Sequence, residues 1–158
     1  MTILDACSLI NLINGEVLED VLELPEHRFA VGPQVLGECG GDATIIGAQF
    51  GARLTELSDE DLRATLFFDL LERYGLGPGE TECLAFAIVN DGNVCSDDRK
   101  AREMAAEELG VERVLGTARL LRDTVAAGLL TPEQGERAYE KMRVSGGFLP
   151  ILPPEYFR

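Results

Sequence analysis

The apolar positions change their period repeatedly along the chain. Thr2–Leu4 is a short β-compatible run ending at Asp5, and behind it Leu9, Ile10, Leu12 and Ile13 recur at helical spacing. An acidic amphipathic segment, Gly15–Leu24, leads to a second apolar stub, Phe29–Val31. Pro33 then opens a short helix that the Gly40-Gly41 pair ends. The pattern predicts a helix over Asp42–Gly51 and a strand over Arg53–Leu57. Ser58 and Asp61 form a variant capping box, predicting one long helix through Tyr74 with a core stripe of Leu62, Leu66, Phe67, Leu70 and Leu71. A Gly-Pro-Gly turn at 77–79 opens the next helix, which carries Glu80 and Glu82, and the short strand after it ends at Asp97-Asp98. A charged helix stopping at Gly110, a strand over Val111–Leu115, a helix from Thr117 to Gly128 and a last helix from Thr131 complete the pattern. The tail is too rich in Pro and Gly to be regular.

Short strands alternating with helices predict an α/β protein: a three-layer α/β/α sandwich around a mostly parallel sheet. No repeat or linker divides it, so residues 1–158 read as a single domain. Right-handed crossovers place all the strand ends on one edge, where ligands of such sheets bind. Asp5, Glu38, Glu82 or Glu80, and Asp97 or Asp98 can meet there. Glu80 and Glu82 lie about 200° apart around a helix and cannot both face one site. Asp97 and Asp98, adjacent on leaving a strand, point to opposite sides.

Four carboxylates from four segments repel one another and raise one another's pKa, a cost that a divalent cation offsets. Oxygen ligands of this kind suit Mg²⁺ or Mn²⁺, and the matching chemistry is phosphodiester hydrolysis, with the ion polarising the phosphoryl oxygen and activating water. Competing machinery is missing: there is one histidine, His27, expected at the surface, and no GxSxG or Walker loop. A haloacid-type phosphotransfer site would need DxD, but position 7 is Cys. Cys7, Cys39, Cys83 and Cys95 contain no CxxC pair and read as free, mostly buried thiols.

The net charge of −14 argues against a nucleic-acid partner, yet it is unevenly spread. Residues 1–97 carry 4 basic and 18 acidic side chains, whereas residues 98–158 carry 10 of each. No apolar run nears the roughly 18 residues that span a bilayer, and the N-terminus lacks the basic region of an export signal. The expectation is a soluble, cytoplasmic protein with no membrane partner.

Five stretches in order, ILDACSLINL at 3–12, VGPQVLGE at 31–38, LGPGETECLAFA at 76–87, VCSDDRKAR at 94–102 and VLGTARLLRDTVAAGLL at 114–130, give the chain a family likeness. It resembles the PIN-domain family of metal-dependent ribonucleases, especially the small members related to VapC-type toxins. The resemblance implies a PIN-like sheet with one acidic edge, Mg²⁺ or Mn²⁺ as cofactor, endonucleolytic cleavage of an RNA substrate, an antitoxin partner and a homodimer. Carried over by position, Asp5, Glu38 and Glu82 match the first three acids and the SDD segment the fourth, with Asp98 preferred to Asp97. Ser8 and Thr117 become supporting hydroxyls, and Glu80 is left a structural part. Arg99, Lys100, Arg102 and Arg119 are the nearest basic candidates for RNA phosphates, on what would otherwise be a solvated helix face. Cys7 departs from the Ser, Thr or Asn common there, and a thiol orients substrate or water less firmly. That departure keeps open a PIN-fold module that binds RNA or protein without turnover.

Overall fold

Five very short strands carry the architecture: β1 (Thr2–Leu4), β2 (Phe29–Val31), β3 (Leu54–Glu56), β4 (Asn93–Cys95) and β5 (Val114–Leu115). The computed structural model describes residues 1–40, 46, 47 and 49–158. All pairings are parallel, in the order β3-β2-β1-β4-β5. Every residue of β1 and β2 is buried, as expected of parallel strands covered by helices on both faces.

The helices are α1 (Ala6–Asn14), α2 (Leu18–Leu22), α3 (Pro33–Cys39), α4 (Ala64–Tyr74), α5 (Pro78–Val89), α6 (Arg99–Leu109), α7 (Thr117–Ala126) and α8 (Pro132–Val144). Helices α1, α2, α7 and α8 pack on one another in one layer. In the other layer α5 lies against β1 and β4 between α4 and α6, and α3 touches both α1 and α5. This is a three-layer α/β/α, PIN-like arrangement. Helix α5 is buried without a break from Thr81 to Ala87, so it has no polar face there and Glu82 is carried into the interior.

The strand order matters most for function. After β1 the chain moves outward to β2 on one side, and after β4 it moves to β5 on the other. The loops leaving β1 and β4 therefore diverge, and the crevice between them is the topological switch point of the sheet. Leu4 pairs with Cys95, and the Asp5 amide donates to the Cys95 carbonyl at 3.1 Å, so Asp5 and the Ser96–Asp98 segment stand side by side at that point.

Several elements differ from the pattern-based expectations. The single helix from Ser58 to Tyr74 is two pieces. The amide and hydroxyl of Ser58 both donate to Asp61 Oδ2, at 3.1 and 3.0 Å, and close only one 3₁₀ turn, Asp59–Asp61. Leu62 is extended, with ψ 127°, and packs partly on the core before α4 starts. Of the predicted stripe only Leu70 is fully buried. The strand over Val111–Leu115 shrinks to Val114–Leu115 because Val111–Arg113 forms a 3₁₀ turn after Gly110, whose φ is +91°. Of the helix expected over 42–51, residues 46, 47, 49 and 50 are helical, while 42–45 and 48 lie outside the described residues. His27 is half-buried: its Nδ1 lies 2.8 Å from the Thr2 hydroxyl and its ring stacks on Phe29 with centroids 5.3 Å apart. Burial lowers its pKa. Among the described residues no helix is long and apolar enough to cross a membrane.

Phe86 is a fully buried residue of α5, the helix that carries Glu82. Phe86→Ala is expected to lower unfolding free energy by about 3–5 kcal/mol, measured as a reduced urea midpoint at unchanged slope.

Candidate functional site

Each acid on the carboxyl edge is held by backbone amides at the start of a helix. Asp5 is the N-cap of α1, accepting from the Ser8 amide at 2.8 Å. Cys7 donates its thiol to both Asp5 oxygens, at 3.1 and 3.0 Å, and its sulfur accepts from the Asp97 amide at 3.4 Å. The thiol thus lies between the first acid and the last. Among the described residues the buried Ser8 hydroxyl has no hydrogen-bond partner.

Asp97 and Asp98 both line the cleft that Cys7 and Asn11 border, but their carboxylates are bonded differently. One Asp97 oxygen accepts from the Thr117 amide at 2.8 Å, and the other accepts from the Asn11 side chain at 2.8 Å and from the Thr117 hydroxyl. Asp98 is exposed and caps α6, accepting from the Ala101 amide at 2.8 Å. The two adjacent carboxylates are held by different helix starts, Asp97 by that of α7 and Asp98 by that of α6. Asn11 has no counterpart in the sequence-based assignment. The available signal was a polar amide four residues after Cys7, hence on the same face of an otherwise apolar helix.

Glu82 and Glu38 make a reciprocal exchange between α5 and α3. Fully buried Glu82 accepts from the Gln34 amide, 3.1 Å from each of its oxygens, and from the Val35 amide at 3.3 Å, so α5 caps the start of α3. Glu38, on α3 and exposed, accepts from the Gly79 amide at 3.2 Å, near the start of α5. Both approaches need glycine. A Cβ on Gly32 would sit 2.1 Å from Glu82 Oε2, and one on Gly79 would sit 2.5 Å from Glu38 Oε1. Glu80 bonds to the Gly77 amide at 2.9 Å and closes a local capping box, a structural part.

None of the ion pairs among the described residues uses Asp5, Glu38, Glu82, Asp97 or Asp98. No three acid, thiol or imidazole groups among the described residues converge into a ready-made metal cage. An ion held by only one or two carboxylates, of which Asp5 and Asp97 are the candidates at the switch point, would need water or substrate oxygen to complete its shell, as Mg²⁺ commonly does. Of the basic candidates, Arg102 lies beside Asp97, its Nη1 and Asp97 Oδ1 both flanking Gly116. Arg99 is exposed and pairs with Glu103 at 2.8 Å, Lys100 donates to the Gly75 carbonyl at 2.9 Å, and Arg119 lies 3.7 Å from Asp123. Among the described residues no disulfide joins any of the four cysteines.

The fold and edge define a parallel α/β protein whose switch-point site is built from carboxylates without histidine. A family model described as PIN domain matches residues 1–151, and the chain belongs to the PIN-domain family. That family is generally one of nucleases that typically use divalent metals. Neither a search of curated proteins nor one of solved structures returns a match.

Burial is the largest influence on Asp5, which is 3% exposed, and it raises the pKa above the ordinary 3.8 against the lowering by Cys7, Ser96 and Ser8. Glu82 is raised likewise, chiefly by burial, with the Gln34 and Val35 amides opposing. The Cys7 thiol is pushed up to about 12 by burial first and then by the Asp5 charge, so it stays a neutral donor at neutral pH. A carboxyl with a raised folded-state pKa keeps its proton in the native chain over a pH window where the unfolded chain has already released it. The native state binds more protons in that window, and stability declines as pH rises through it. Asp5→Asn keeps an acceptor for the Ser8 amide but removes the buried charge. Its melting temperature is expected to exceed that of the unsubstituted chain at neutral pH, with the difference shrinking as pH falls toward 3.8. A difference independent of pH in calorimetric scans would show that the Asp5 charge does not oppose folding.

Proposed function

We propose that the chain is a divalent-metal-dependent endoribonuclease and the toxin of a VapC-type toxin–antitoxin pair, acting on RNA in the cytoplasm. The observation that supports this reading is at the carboxyl ends of two paired strands: Asp5 follows β1, Asp97 follows β4, and no side-chain cation is paired to either among the described residues. Buried carboxylates left without a countercharge are costly, and a cation is what that edge suits.

Asp5 and Asp97 would hold Mg²⁺ or Mn²⁺, with Glu38 and Glu82 flanking. Bound there, such an ion supplies polarisation of a phosphoryl oxygen and a lowered pKa for water. The chain supplies the rest. Asn11 and Thr117 fix the Asp97 carboxylate through three hydrogen bonds, so its direction is set before substrate arrives. The Cys7 S–H steadies both oxygens of Asp5 without adding charge. Arg102, beside Gly116, is placed to take a phosphate oxygen of the bound strand. In hydrolysis water adds to phosphorus, one bridging P–O bond breaks, and the departing oxygen takes a proton. An antitoxin and a second copy of the chain complete this proposal as partners.

One feature favours a module that binds without turnover: Cys7 covers both Asp5 oxygens while Glu38 and Glu82 are engaged on amides. Incubating purified protein with a panel of RNAs, with Mg²⁺ or Mn²⁺ against EDTA, separates the two. The nuclease reading expects metal-dependent cleavage, with kcat/KM reduced roughly 100-fold or more in Asp5→Asn and in Asp97→Asn. Asp98→Ala is expected to cost about 1 kcal/mol of stability as a lost cap while retaining cleavage. Added metal should also raise the melting temperature of the unsubstituted chain and not that of Asp5→Asn. Metal binding by calorimetry without cleavage of any RNA would assign the non-catalytic module.

A further inference from the structure

The segment that follows α8 forms no helix or strand, yet it is pinned at both ends. After a turn at Gly146, whose φ is +98°, the Gly147 amide donates to the Met142 carbonyl at 3.0 Å and the Leu149 amide to the Gly147 carbonyl at 2.8 Å. The Tyr139 hydroxyl then donates to the Pro150 carbonyl at 2.8 Å, and Leu149 and Leu152 pack partly on the core. Phe157 is the deepest anchor. It is 5% exposed, with its ring centroid 6.0 Å from that of Tyr139 and 5.0 Å, edge-on, from that of Tyr156. The Arg122 guanidinium of α7 lies 5.3 Å from the Tyr156 ring centroid, and a Cβ on Gly135 of α8 would come within 2.9 Å of Val125 and 3.4 Å of Phe157. The far end of the segment is thus seated where α7 meets α8. The family match stops at residue 151, so this aromatic anchor lies beyond the matched residues.

The near end lies on the candidate site. A Cβ on Gly147 would come within 2.6 Å of Asn11 Oδ1 and 2.8 Å of the Met142 carbonyl oxygen, so the backbone there is packed directly against the Asn11 side chain. The nitrogen of the same amide donates to Asp97 at 2.8 Å. The last torsion of an asparagine has a broad range of its own; here Gly147 backs one side of the amide and Asp97 takes the other. Thr117, which also holds Asp97, opens α7, the helix on which the far end rests. Both supports of Asp97 therefore stand on elements that the segment contacts. With few contacts of its own, such a segment opens at lower cost than the core does. We propose that Gly147–Phe157 is a strap that positions Asp97: the Phe157 anchor holds Gly147 against Asn11, which keeps the Asn11 amide on the Asp97 carboxylate. Gly147 and Phe157 are positioning residues that act through Asn11. The hold on Asn11 does not depend on the nuclease reading; its effect on turnover does.

The Asn11 side-chain amide reports the strap in nuclear magnetic resonance relaxation of the intact chain. Its order parameter should lie near the ~0.85 of rigid backbone in the unsubstituted protein and fall below about 0.6 in Phe157→Ala and in Gly147→Ala. Phe157→Leu keeps an apolar anchor and should restore it. The Ser8 and Ala101 amides, which hold Asp5 and Asp98, should exchange with solvent at unchanged rates, whereas a merely weakened fold speeds both. Tyr139→Phe gives up only the bond to Pro150 and carries the same test should Phe157→Ala not fold. Where the unsubstituted chain cleaves RNA, Phe157→Ala should lower kcat by roughly 10- to 100-fold at unchanged KM. An Asn11 side chain as ordered in the variants as in the parent overturns the proposal, and so does an unchanged kcat beside a disordered Asn11. If no RNA is cleaved, the nuclease reading falls by itself, and the Asn11 order parameter still decides for or against the strap.

Discussion

The carboxyl edge of the sheet concentrates negative charge, and the structure answers it with backbone amides instead of side-chain cations. Every parallel strand hands the chain to a helix whose N-terminus lies at that edge, and each such N-terminus offers unpaired N–H groups and the positive end of a dipole. Asp5 takes the start of α1, Glu82 that of α3, Glu38 that of α5, Asp98 that of α6 and Asp97 that of α7. Five acids meet five helix starts. Each contact is worth about 0.3–1 kcal/mol by itself, but together they fix where the acids stand and so tie the site geometry to the helix packing.

This compensation is partial by design of the geometry. Amide donors satisfy some carboxylate lone pairs and lower the pKa, yet burial remains the larger influence on Asp5 and Glu82. A carboxylate held by one or two amides still has lone pairs facing the crevice. The acids at the centre, Asp5 and Asp97, belong to adjacent strands and share Cys7, whereas Glu38 and Glu82 are turned onto helix starts at the flank. The edge is therefore graded: two acids linked through Cys7 at the switch point, bordered by two that bond α3 to α5.

Much of the sheet was legible because each strand is a short apolar run ending at a polar residue, and most helix starts carried a Pro, a Gly or a cap. What the pattern obscured was length. Ser58 and Asp61 look like the opening of a long helix, but a capping box is a local bargain among four residues and says nothing of whether the next turn continues. Leu62 leaves the helical path to reach the core, a tertiary demand invisible to periodicity. The site was legible in residue type and not in direction. Two adjacent aspartates are held by different helix starts, and only the positions of Asn11 and Thr117 determine which bonds Asp97 takes. Glu82 at the start of α3 and Glu38 at that of α5 pass close to glycines at 32 and 79, which lie 50 and 41 residues away along the chain.

Cys7 brings these constraints together. A hydroxyl at this position could both donate to Asp5 and accept strongly from the Asp97 amide; sulfur does each weakly and over longer distances. A thiolate there would add a third negative charge between two carboxylates, and burial together with Asp5 prevents it from forming at neutral pH. Cys7 therefore stands at neutral pH as an uncharged link between the strand ends, a donor to the Asp5 carboxylate and an acceptor for the Asp97 amide, so it ties the two segments together without adding charge to the edge.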